Sequence, residues 1–146
     1  MVDENDDLVI VTIGTNNRQQ YHSEGERRDK EEFLDEFYHN IIKLNGMFEA
    51  AGIKVIFVAN IPASEANEQD GSDYWRIFHM DDVNDAYKRA SKELGASMIS
   101  MYDLFLEYIE ENGLTLNSLL KDGLHPNDEG YRIMYDLFLK AFGLAE

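Results

Sequence analysis

The chain has 146 residues, 44% hydrophobic and 12% aromatic, with 29 acidic against 13 basic residues and a formal net charge of −16. This length and apolar content fit one domain over residues 1–146 with a substantial core, and exclude a disordered chain. The acidic excess argues against nucleic-acid and anionic-membrane partners, whose affinity comes largely from Lys and Arg contacts, and reads as a solubilising surface.

There are no cysteines, which excludes a disulfide scaffold or a thiolate zinc site within these residues. No apolar run is long enough for a transmembrane helix. The acidic first seven residues do not read as a signal peptide, so the compartment stays open, with the cytoplasm as the default expectation.

Three apolar, β-branched runs are expected as strands: Leu8–Ile13 ending at Gly14, Ile53–Val58 ending near Asn60 and Pro62, and Ala96–Met101 leading into Tyr102 and Asp103. Continuous apolar runs bounded by turn residues fit buried parallel strands. Phe33, Phe37, Ile41, Leu44 and Phe48 follow a helical period, with Gly52 as the stop. Val83, Ala86, Tyr87, Ala90 and Leu94 form a second such face before Gly95, and Met134, Leu137, Phe138 and Ala141 a third before Gly143. The order β-α-β-α-β-α predicts an α/β fold: a flavodoxin-like, three-layer parallel sheet flanked by helices, with three strands visible. Residues 17–30 are expected as a loop. Residues 63–79 form a long connection carrying Tyr74, Trp75, Ile77 and Phe78; Tyr74 and Trp75 either cover the core's edge or form a lid over a substrate.

In open α/β sheets, ligands bind beyond the carboxyl ends of the strands. Two motifs sit near such ends. In Gly14-Thr15-Asn16-Asn17, the glycine permits a sharp turn and the asparagine amide can reach across the sheet top, although the segment alone also reads as a plain turn. In Asp122-Gly123-Leu124-His125-Pro126, the spacing lets a carboxylate accept from one imidazole nitrogen, leaving the other as a general base. The same pair can equally serve only to organise the turn before a helix entered at Pro126 and Asn127. His22, His39 and His79 show no metal-ligand spacing, and neither a phosphate loop nor a dinucleotide motif occurs, so no cofactor and no metal are expected.

Taken together and in this order, the two motifs resemble the SGNH/GDSL-type serine hydrolases. The resemblance implies that Asn16 donates to an oxyanion next to Gly14, with Asn17 replacing the usual Asp. It implies that Asp122 and His125 are the acid and base of a triad acting on a small ester substrate, an acyl or acetyl ester that carbohydrate can carry. The resemblance covers essentially the whole chain, yet the family's Gly-Asp-Ser nucleophile block and its second glycine block have no match. These residues therefore correspond to an N-terminally truncated, C-terminal portion that starts at what would be the third strand. Ser23 and Ser64 could approach the site as substitute nucleophiles, and a non-catalytic binding module keeping the scaffold is the alternative. Without its neighbour, the Leu8–Ile13 strand would expose an apolar edge, so self-association or a complementing chain is expected there.

Overall fold

The computed structural model describes residues 8–144. Strands β1 (Leu8–Val11), β3 (Lys54–Ala59) and β5 (Ser97–Ser100) pair in parallel in the order β1-β3-β5, with Val9 opposite Val55 and Phe57 opposite Met98. Alternation along β3 sends Val55, Phe57 and Ala59 to one face and Val58 to the other. On the first face pack α1 (Lys30–Ala50) and α2 (Met80–Leu94) through Phe37, Ile41, Val83, Tyr87 and Ala90. On the second pack α3 (Met101–Glu111) and α5 (Asp128–Ala141) through Met101, Phe105, Ile109 and Ile133. The result is the expected three-layer α/β arrangement.

Several boundaries differ from expectation. β1 stops at Val11 because Ile13 turns its backbone N–H and carbonyl to the Tyr87 hydroxyl instead of a neighbouring strand. The third strand stops at Ser100, whose side chain caps α3 by accepting from the Asp103 N–H at 3.0 Å. Tyr102 and Asp103 consequently lie in the first turn of a helix that the sequence reading missed. Its core positions Met101, Phe105 and Ile109 follow the strand with no turn residue between. A short α4 (Leu116–Leu119) also went unforeseen.

The two irregular stretches pair with each other. β2 (Gln19–Tyr21) and β4 (Tyr74–Arg76) form an antiparallel ribbon, with Gln20 opposite Trp75. Residues 63–79 are therefore not structureless, and neither is the segment 17–30.

β1 is an edge strand of the three-stranded sheet. Its Val9 and Val11 meet the α1/α2 layer. Ile10 is 43% exposed. Beside it runs an apolar groove of about 400 Å³, walled by Ile10, Val58, Met101, Met134, Tyr135 and Phe138. Among the described residues, no helix is long and apolar enough to cross a membrane.

Candidate active site

The exit from β1 is fixed from below. The buried Tyr87 hydroxyl accepts from the Ile13 N–H at 2.9 Å and donates to the Ile13 carbonyl at 3.2 Å. Burial pushes the Tyr87 phenol up to about 12, the bond to Ile13 opposing it, so it stays protonated as a donor. Gly14 follows with φ +113°, and a Cβ there would lie 2.7 Å from Val83 Cγ1 and 2.9 Å from Phe37 Cζ. Glycine is thus required by both conformation and space. The Asn17 N–H closes the turn onto the Gly14 carbonyl at 3.0 Å. Asn16 then stands exposed at the start of a single 3-10 turn. At the end of β3, Asn60 ties this loop down: it accepts from the Thr12 hydroxyl and donates to the Thr15 hydroxyl, both at 2.6 Å.

The second half of the site is the turn before α5. His125 Nδ1 lies 2.8 Å from Asp122 Oδ2. Asp122 Oδ1 accepts from the N–H groups of His125 at 2.8 Å and Leu124 at 3.1 Å. The His125 backbone N–H, the His125 ring and the Leu124 N–H hold the Asp122 carboxyl down to about 2. The carboxylate is therefore ionised at neutral pH, Nδ1 carries the shared proton, and Nε2 is left for other chemistry. The turn is braced by the Lys121 N–H on the His125 carbonyl at 2.7 Å, and Asn127 caps α5 by accepting from the Gly130 N–H at 3.0 Å.

These two segments, more than a hundred residues apart in sequence, meet across one cleft of about 400 Å³. Asn16 and His125 both line it, with Ile61, Met80 and Met134 as apolar wall. Gly14 shapes the Asn16 loop without lining the cleft, and Asp122 reaches it only through His125. Tyr74 and Trp75 do not line it. Tyr74 sits edge-on to Tyr21 at 6.5 Å, and Trp75 lies 4.4 Å from His22, both on the β2–β4 ribbon. No serine among the described residues lines the cleft. Ser64 is buried beneath the Asp122–His125 turn, its N–H donating to the Gly123 carbonyl at 2.8 Å. Ser23 is exposed in a 3-10 turn away from the cleft.

Sequence reasoning missed the support beneath the Asn16 loop. Arg18 is fully buried, donates from Nε to the Thr15 carbonyl at 2.9 Å, pairs with Glu68, and reaches Asn67 Oδ1 at 3.2 Å. Burial lowers the Arg18 pKa from its usual value, and Glu68 opposes that shift. Its carboxylate partner lies fifty positions away in a segment read as irregular, so no local pattern marks the pair. Among the described residues, His79, Asp81 and Asp82 group closely enough to hold a metal. The Asp82 carboxylate, however, already accepts from the His79 N–H and pairs with Lys30.

A model of the GDSL-like Lipase/Acylhydrolase family matches residues 2–133. Among solved structures, the chain is similar to a GDSL-like lipase from Bacteroides thetaiotaomicron, with 24% identity and a TM-score of 0.60, covering 94% of this chain and 62% of that one. It is also similar to a catalytic mutant of an acetylxylan esterase from Geobacillus stearothermophilus, with 21% identity and a TM-score of 0.67, covering 96% and 62%. At these identities the likeness is one of fold. The chain spans about 60% of the length of these solved relatives. No curated protein matches it.

Proposed function

The chain belongs to the GDSL-like lipase/acylhydrolase family, and on that premise we propose that it supplies the acid–base pair and the oxyanion donor of a serine ester hydrolase. The observation that carries this reading is the convergence of Asn16 and His125 on one cleft, with His125 already oriented by an ionised Asp122. A serine hydroxyl adds to the ester carbonyl carbon, and His125 Nε2 takes the hydroxyl proton. Asp122 holds the ring and stabilises the imidazolium. The carbonyl oxygen, now an oxyanion, accepts from the Asn16 amide. His125 returns the proton to the leaving alcohol as the tetrahedral centre collapses, and a water repeats the cycle on the acyl-enzyme. Small acyl esters fit the modest cleft. Acetyl groups on carbohydrate are included in the proposal because one fold neighbour is an acetylxylan esterase.

The nucleophile is proposed to come from outside residues 1–146, on a strand added to the open edge of β1. Two features support that placement. Among the described residues, nothing covers Ile10 and the apolar groove beside it, a face on which a further β-strand can pack. The groove also shares Asn60, Tyr131 and Met134 with the cleft, so a strand seated there ends where Asn16 and His125 meet. The second reading, a binding module without turnover, is favoured by the lack of a cleft-lining serine among the described residues.

Hydrolysis of p-nitrophenyl acetate by this chain, alone and combined with a polypeptide bearing a Gly-Asp-Ser strand, separates the two. The proposal expects hydrolysis only in the combination, abolished by His125→Ala. Hydrolysis that persists unchanged in His125→Ala removes His125 as the base, and none in the combination leaves the binding module.

A further inference from the structure

The two halves of the cleft are joined underneath by a continuous run of hydrogen bonds. It begins at the Thr15 carbonyl, next to Asn16, which accepts from Arg18 Nε at 2.9 Å. The same guanidinium pairs with Glu68 and donates to Asn67 Oδ1 at 3.2 Å. The Asn67 N–H donates to the Ser64 carbonyl at 2.9 Å, with Ser64 Oγ at 3.3 Å. The Ser64 N–H donates to the Gly123 carbonyl at 2.8 Å, one residue from Asp122.

We infer that Arg18 is a positioning residue: through Asn67, Glu68 and Ser64 it sets the place of the Asn16 amide relative to the His125 ring. A fully buried guanidinium is tolerated only where its donors are partnered, and its planar fork fixes the directions of those partners. Here the fork binds its own loop on one side and the 64–68 turn on the other. The Arg18 carbonyl adds a third anchor by accepting from the Ile77 N–H at 2.7 Å. Glu68 is itself fixed, its other oxygen accepting from the Met80 N–H at 3.0 Å at the start of α2. At the far end, Ser64 Oγ lies against Gly123 so closely that a Cβ on that glycine would sit 2.4 Å from it. A displacement of the 64–68 turn is therefore transmitted to the Asp122–His125 turn by contact as well as by hydrogen bond. An ammonium in place of the guanidinium keeps the charge and loses the fork.

The importance of this spacing rests on the ester-hydrolase reading; the coupling itself is measurable without turnover. Amide correlation spectra of the full chain, wild type against Arg18→Lys and Ser64→Ala, test it from both ends. The expected result is reciprocal. Arg18→Lys moves the resonances of Gly123, Leu124 and His125, and Ser64→Ala moves the backbone and side-chain amide resonances of Asn16, while those of α3 and α5 away from the turn stay in place. A merely space-filling Arg18 gives shifts confined to its direct neighbours, and that result overturns the inference. If Arg18→Lys fails to fold, Asn67→Ala, which removes the Oδ1 that accepts from Arg18, decides alone: an unmoved Asn16 overturns it. Reciprocal shifts in a protein whose combined hydrolysis ignores His125→Ala would instead overturn only the ester-hydrolase reading.

Discussion

Asp122 accepts twice from His125, once from the backbone N–H at 2.8 Å and once from ring Nδ1 at 2.8 Å. The carboxylate thus defines both the turn and the orientation of the ring. Because its folded pKa is depressed from 3.8 to about 2, its contribution to stability is fully present above the unfolded value. That contribution is lost as the pH falls from there through about 2. An NMR titration of the Asp122 side-chain carboxyl carbon should show a midpoint near 2 in the wild type. The midpoint should rise toward 3.8 in His125→Ala, which removes the ring bond but keeps both backbone donors. A wild-type midpoint at 3.8 would mean that the pair does not form in solution.

Gly123→Ala is expected to destabilise the chain by about 1–2 kcal/mol, the usual cost of a left-handed residue with a Cβ. Its φ is +82°, and the new Cβ would meet Ser64 Oγ at 2.4 Å. Chemical denaturation measures the loss. A neutral substitution would indicate that the 64–68 turn yields freely.

Tyr87→Phe removes the partner of both the N–H and the carbonyl of Ile13 in a part-buried setting. A loss of about 1–3 kcal/mol is expected from the unsatisfied groups. Amide exchange at Ile13 should speed up with it. Unchanged exchange there would show that another group takes over the role of the hydroxyl.

Asn16→Ala should lower kcat of the assembled hydrolase by roughly 10²–10³-fold, the size of losing one oxyanion donor. Asn16 is exposed and, among the described residues, the side-chain bonds that hold the loop come from Thr12, Asn60 and Arg18, so the melting temperature should stay put. A drop in KM-dependent binding with kcat intact would assign Asn16 to substrate binding instead.

The open β1 edge and its groove predict association. Size-exclusion chromatography with light scattering of the isolated chain should show species larger than 16.9 kDa, more so at high salt, where repulsion among the excess acidic charges is screened. A stable monomer across salt concentrations would count against the exposed edge as a pairing surface.

Much of this was legible in the sequence. Apolar runs marked the three parallel strands, although only the central β3 is buried along most of its length, while Leu8 and Ile10 of β1 are exposed. Helical periods marked α1, α2 and α5. Gly14 to Asn17 and Asp122 to Pro126 were visible because tight turns demand particular residues at fixed spacing. What stayed hidden depended on non-local partners. The β2–β4 ribbon is three polar residues paired with three others across some fifty positions. The α3 helix follows β5 without punctuation. Arg18 carries no local signal within the polar 17–30 stretch, because its partners Glu68 and Asn67 lie about fifty positions away. Tyr74 and Trp75, read as either core edge or lid, lie on that ribbon and away from the cleft.

The central claim is that this cleft holds the base and oxyanion donor for a serine contributed from outside these residues. Fluorophosphonate labelling read by intact mass tests it most directly. The claim predicts no adduct on this chain alone, and, in the combination with a Gly-Asp-Ser strand, an adduct on that strand's serine that disappears in His125→Ala. An adduct on any serine of this chain would contradict it.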